Sequence, residues 1–352
     1  MRFIPIDQIR GLAISAMILA HFGPGIWDRI GITGPLLDVL LLIGRFATPT
    51  FIAIFGFTIA FAYISKSRNN PAAVRAKLFK RSGVVLLSAI VVSLPSMIST
   101  LQSEDYWGGS LILNLLLNLY GVLIFYTLAI FSAGLLIGPI SRAPYILPAV
   151  IGSVAVFVGT FLGYDAWESQ GQSGAEIFRL VLVSGKYAFF TNFGVALMLV
   201  SLGWYIKNLL ISGCRVGTVL LVIGIVMLFC GLSLGRLVGW RSLSQLHSSY
   251  GAPPQLWYLC VVGGVMLMIM AVFDSIKIPF FSFFLEHTGR NPLAIYVSHA
   301  FVLPAVSLLR SLAPWLPNAA QIMLPLCIFF FYWAFIIIKS SRPLSVNRTA
   351  TE

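Results

Sequence analysis

Apolar residues gather in ten segments along the chain, over 5–27, 36–65, 82–101, 110–138, 143–164, 186–206, 216–235, 255–273, 291–311 and 315–338. Each is long enough, as a helix, to cross a hydrocarbon core of about 30 Å. Runs of this length exclude the short alternating strands of a membrane β-barrel. The second and fourth segments are overlong and are predicted to tilt or protrude. Between 276 and 290 only Ile276 to Leu285 is apolar, too short to span, and this stretch reads as an interfacial or re-entrant piece. Extended polar segments are confined to 66–81, 165–185, 236–254 and the tail from Lys339. No internal repeat or low-complexity tract is evident. The expectation is one transmembrane domain over 1–340 and a short cytoplasmic tail over 341–352.

Composition agrees with the pattern. Hydrophobic residues make up 59% of the 352 positions and charged residues 10%, against roughly a quarter charged in a soluble domain. So few charges cannot cover a water-facing globule of this size, whereas lipid favours an apolar exterior with backbone groups paired internally. The fold class is therefore an all-α polytopic membrane protein with about ten transmembrane helices. The first apolar stretch is flanked by Asp7 and Arg10 and lacks a small-residue cleavage site, so it reads as a retained span.

The net charge of +12 is spread over the loops and sets topology; no nucleic-acid partner is expected. With ten spans, sixteen basic residues fall on the side of the termini and six on the other. That bias puts both termini in the cytoplasm. Cys214, Cys230, Cys260 and Cys327 have neither metal-ligand nor redox spacing and read as small packing residues. No metal site is expected.

Ionisable side chains at membrane depth normally face a bundle interior or an aqueous path. In the first span, Arg10 and His21 are eleven residues apart, almost three helical turns, and so share a face. Asp7 lies one turn before Arg10 on the same side. The rise between Arg10 and His21 is about 16 Å, which carries a polar stripe from the inner mouth to beyond mid-membrane. Arg10 can hold a phosphate or carboxylate, and His21 can take a proton near neutral pH. The same residues also read as an inner-leaflet anchor paired with Asp7 and a cap at the outer helix end.

Arg45 precedes Phe46-Ala47-Thr48-Pro49, where Pro49 is expected to kink or break the second span. Arg45 either snorkels outwards or takes part in a site. Late in the chain, Pro292 fits the first turn of a helix, which puts Arg290 at the inner face. Asn291, Tyr296 and His299 then follow, the last two on one face and in the inner half of the membrane. The basic loop carrying Lys66, Arg68, Arg75, Lys77, Lys80 and Arg81 is explained by orientation and attraction to anionic lipid. Its last members could equally attract a polyanionic cytosolic ligand. No P-loop, dinucleotide-binding glycine pattern, HExxH or GxSxG is present. Gly263-Gly264 reads as close helix packing.

The opening IDQIRGLAISAMILAHF resembles the first-helix signature of the transmembrane acyltransferase superfamily, in which a basic residue and a histidine are separated by ten positions. That superfamily includes the acyltransferase-3 family, the glucan-modifying OpgC-type proteins and heparan-α-glucosaminide N-acetyltransferase-like proteins. FATPTFIAIFGFTIAFAY, KLFKRSG, NLYGVLIFYTLAI and HTGRNPLAIYVSH are similar, in order, to later elements of the same group. The resemblance implies an acyl-CoA-dependent acyltransferase of the cell (inner) membrane, with no bound cofactor. The acyl group, usually acetyl, would pass from cytosolic acyl-CoA to a hydroxyl or amine of a glycan or glycolipid on the far side. It implies His21 and Asp7 as catalytic residues and Arg10, Lys77, Lys80, Arg81 and Arg290 around the donor. Arg45, Asn291, Tyr296 and His299 fall to the acceptor side. The rival reading is a secondary transporter using Asp7, Arg10 and His21 for substrate or protons, against which stands the lack of two related halves.

Overall fold

The computed structural model describes residues 2–22, 26, 34–102, 116–119, 121–164, 174–239 and 255–341. Among them there is no strand. In chain order the helices are α1 (Ile4–Phe22), α2 (Pro35–Ile59), α3 (Ser65–Asn69), α4 (Pro71–Gln102), α5 (Val122–Arg142), α6 (Leu147–Tyr164) and α7 (Gly174–Arg179). They continue with α8 (Phe189–Ile211), α9 (Val216–Leu237), α10 (Leu256–Ser275), α11 (Pro279–Arg290), α12 (Pro292–His299), α13 (Val302–Leu312) and α14 (Asn318–Ser341).

Eight of the described helical stretches are long and apolar enough to cross a membrane. They coincide with all the expected spans but the first and fifth. Those two positions hold α1, whose apolarity is diluted by Asp7, Gln8, Arg10 and His21, and α6, whose apolar stretch Leu147–Gly163 is shorter. Large apolar side chains such as Leu87, Phe157, Phe229 and Phe331 are more than 60% exposed, which is the exterior that lipid selects. The piece at 276–290 is the 12-residue helix α11, packed along α1.

Several local expectations change. The basic loop over 66–81 is mostly helical: Asn70 alone interrupts it, its side-chain oxygen accepting from the Ala73 N–H at 3.0 Å, with Pro71 opening α4. This makes the third span 32 residues long, while the described fourth, α5, is an ordinary 21. Pro49 sits inside α2 without ending it, and the irregularity falls later, in a π turn over Ala60–Ile64. There Lys207 of α8 donates to the Phe61 carbonyl at 3.1 Å and to Ser65 Oγ at 2.7 Å. A π turn disrupts the regular backbone ladder, and the lysine supplies a donor where it does so. The cysteines are not packing residues: Cys214, Cys230 and Cys327 are exposed and Cys260 is half-buried. An apolar exterior sets no penalty on that exposure.

Glycines set the tightest helix contacts. A Cβ on Gly224 would lie 2.8 Å from the Gly264 carbonyl, and one on Gly264 would lie 2.6 Å from the Gly224 carbonyl, locking α9 against α10. Gly152 and Gly194 are reciprocal in the same way between α6 and α8. Between α1 and α11, a Cβ on Gly11 would strike the Leu285 carbonyl and one on Gly289 the Asp7 carbonyl. Small residues permit this approach where lipid gives helices no hydrophobic reason to associate. Gly289→Ala is expected to destabilise the protein by about 1–3 kcal/mol, read as a lower thermal midpoint in detergent. Gly83→Ala, where an added Cβ meets nothing within 4 Å, should leave it unchanged or slightly raised.

Candidate active site

The end of the site nearest the N-terminus is a chain of alternating charges. Arg2 donates to Asp7 Oδ2 through Nε at 2.8 Å and Nη2 at 2.6 Å, and Arg10 Nη1 donates to Asp7 Oδ1 at 3.0 Å. Arg2 also approaches Glu286 at 3.9 Å, and Glu286 is paired with Arg290. Arg10, only 17% exposed, reaches further. Its Nη1 donates to the Gly289 carbonyl at 3.0 Å and its Nη2 to Thr58 Oγ1 at 2.7 Å. One guanidinium thus ties α1, α2 and α11 together. These protein acceptors occupy both of its terminal nitrogens, the ones expected to face a ligand.

Beside this network a cleft of about 560 Å³ opens between α4, α12 and α14. Arg81 and Arg290 line it together with Asn291, Ser88, Ser298 and Tyr332. Arg81 Nη1 also donates to the Tyr63 hydroxyl at 3.2 Å. Of the basic run at 77–81, only Arg81 enters the cleft; Lys77 and Lys80 are exposed on the first turns of α4. Asn291 stands at the head of α12, its side chain donating to the His287 carbonyl at 3.3 Å.

At the other end of α12, His299 meets His21. Nδ1 of His21 and Nε2 of His299 are 2.8 Å apart, and the rings stack at 5.1 Å between centroids. His299 is buried, packed edge-on against Tyr296 and close to Phe22, while His21 is exposed. The expectation that His299 lies in the inner half and His21 beyond mid-membrane is corrected: the two are level. Arg10 is bonded to Gly289 near the turn from α11 into α12, and from that level α1 runs eleven residues to His21 while α12 runs to His299 at its own end. Asp7, grouped with His21 in the expected catalytic set, lies fourteen residues away along α1, about 21 Å, and the two do not meet.

Residues that sequence reasoning missed surround the pair. Lys186, between α7 and α8, lies within electrostatic reach of both His21 and Arg45. Its ammonium stands over the Tyr187 ring at 5.5 Å, and the Tyr187 hydroxyl bonds the Thr48 side chain. Tyr258 donates to the Arg45 carbonyl at 3.1 Å. Arg45 therefore belongs to the histidine end of the site and not to the inner network. Lys186 was counted only as a loop charge, and Thr58 has no sequence signal beyond its place on a span. Among the described residues no group of three or more His, Cys, Asp or Glu could hold a metal ion.

Fold and site together define a polytopic helical membrane protein with a basic cleft at one end of a helix and a histidine pair at the other. A family model described as heparan-alpha-glucosaminide N-acetyltransferase, catalytic, matches residues 2–187. The chain belongs to this family, and is an acetyltransferase. No curated protein matches it. The matched region holds Asp7, Arg10, His21, Arg45, Arg81 and Lys186 and ends before Asn291, Tyr296 and His299.

Thr58→Val removes one acceptor of a nearly buried guanidinium while keeping the side-chain shape. It should cost about 1–3 kcal/mol, measured by denaturant titration in mixed micelles, with the helix content of the folded state unchanged.

Proposed function

We propose that the chain moves an acetyl group from cytosolic acetyl-CoA to an amine or hydroxyl of a glycan or glycolipid across the membrane. In this reading it crosses the inner membrane ten times, with both termini in the cytoplasm. The observation that carries the reading is the layout of α12. Two arginines and an asparagine occupy the cleft at its start, and an open imidazole faces its end, nine residues and about 14 Å away. A donor with phosphates at one end and a thioester at the other is suited to such a layout. The family's name favours an amine of a glucosamine-bearing glycan as acceptor.

Arg81 and Arg290 hold the donor's phosphates, since a planar guanidinium fork matches phosphate oxygens. Asn291 lies beside them, and Lys77 and Lys80 raise the local concentration of the polyanion. Arg10 and Asp7 act by position: they hold α1 against α11, so that the cleft and the histidines stay in register. On the far side, Arg45, Lys186, Tyr187 and Tyr296 border the acceptor's approach. The His21 imidazole takes the proton of the acceptor N–H or O–H as that atom attacks the thioester carbonyl carbon. The C–S bond breaks, the sulfur leaves with the electron pair, and the proton passes from His21 to the thiolate. No metal or resident cofactor is required.

Purified protein in lipid nanodiscs, given radiolabelled acetyl-CoA and glucosamine-bearing glycans, should release CoA and label the acceptor. His21→Ala should lower turnover by at least about a hundredfold. The double variant Arg81→Ala/Arg290→Ala should instead raise the KM for acetyl-CoA about tenfold or more with kcat little changed. Wild-type protein that releases no CoA and labels no acceptor would sink the enzymatic reading. An unaltered KM in the double variant would remove the cleft from the donor site.

A further inference from the structure

We infer that His299 is a positioning residue that fixes the tautomer of His21, so that Nε2 of His21 is the basic nitrogen presented to the acceptor. This rests on the reading of His21 as the base. The argument starts at the Tyr296 carbonyl, which accepts a hydrogen bond from Nδ1 of His299. A carbonyl oxygen can only accept, so Nδ1 of His299 carries its hydrogen.

A neutral imidazole has one N–H, which leaves Nε2 of His299 with a bare lone pair. That lone pair faces Nδ1 of His21 at 2.8 Å. Two lone pairs at this separation would repel, so Nδ1 of His21 carries the hydrogen between them. Nε2 of His21 is then unprotonated, on the ring that is open to the surface.

The alternative is a His299 imidazolium donating to His21. A buried charge is costly without an ionic partner, and among the described residues neither ring bonds a carboxylate. Among the described residues, the charged groups that face His21 from the neighbouring elements are cations, Lys186 ahead of α8 and, beyond it, Arg45 of α2.

The relay also needs a rigid origin. The Tyr296 carbonyl lies in the last turn of α12, three residues before His299, where the break at Ala300–Phe301 frees it from the regular ladder. The backbone of α12 thereby dictates the protonation pattern of a side chain on α1. When His21 takes a proton at Nε2, its Nδ1–H remains bonded to His299, which stabilises the ring without moving.

The test is the tautomer itself. The chain has four histidines, so their side-chain nitrogens in ¹⁵N-histidine-labelled protein can be assigned by single substitutions. In nanodiscs at neutral to mildly alkaline pH, His21 should show a protonated Nδ1 and a bare Nε2. His299→Ala should shift His21 towards the Nε2–H form and lower turnover about a hundredfold, with the donor KM within twofold. His299→Gln offers an amide oxygen near the place of Nε2 and should restore both the tautomer and turnover to within about tenfold. A bare Nδ1 on His21 in wild-type protein overturns the inference, as does an unchanged tautomer in a folded His299→Ala variant. If the tautomer is as stated but His21→Ala remains fully active, the relay stands and the assignment of His21 as base falls.

Discussion

Between α1 and α11 there is no room for a side chain at two positions. Gly11 lies on the Leu285 carbonyl and Gly289 on the Asp7 carbonyl, each helix donating a glycine to the other's backbone. Arg10 closes the same joint from the side through Asp7, the Gly289 carbonyl and Thr58. The contact fixes a level as well as a distance. Pro292 starts α12 directly after α11 ends, and the helical rise then does the rest. α12 runs from that joint to His299, which comes within hydrogen-bonding distance of His21, eleven residues beyond Arg10 on α1. A slip of one turn at the glycines, about 5.4 Å, would separate the rings entirely.

The charged groups at this joint are paired with one another, as an apolar exterior favours. Arg2, Asp7, Arg10, Glu286 and Arg290 alternate in sign along the inner rim. Trp333 of α14 donates to Thr288 at 3.0 Å, pinning the end of α11 from its other side. Lys207, only 5% exposed, is spent on the π turn that α2 makes as it leaves the bundle. Arg10, 17% exposed, is committed to holding helices.

Much of this was legible in the sequence because membrane solvent simplifies the code. Segment lengths near twenty residues located the eight described helices that are long and apolar enough to cross a membrane, and the Arg10 to His21 spacing marked a shared face of α1. Pro292 after Asn291 placed the start of α12 correctly. What failed were inferences that needed a partner. That the 66–81 run is helical depends on Asn70 capping α4, a single side-chain bond inside a stretch whose charge suggested a loop. Lipid-exposed and buried cysteines look alike in sequence, because both sides of such a helix are apolar. Depth went wrong for His299 for a related reason: the level of α12 is set by α11 against α1, a contact made by two glycines that carry no periodic signal. Lys186 and Tyr187 were invisible as site residues, since only the fold carries that short segment to His21.

The extent of the family match bears on how the site is assembled. Residues 2–187 include the first helix, the outer cations and the Arg81 side of the cleft, but not Arg290, Asn291, Tyr296 or His299. Both ends of the site are completed by the same later piece of chain, α11 and α12, which packs on α1 from outside the matched region. The matched part therefore supplies one wall of the cleft and one ring of the histidine pair, and neither is whole without the other part. Coupling follows from this construction. Any displacement of α12 moves the Ala294, Val297 and Ser298 wall of the cleft and, through one helix of eight residues, the hydrogen bond between His299 and His21.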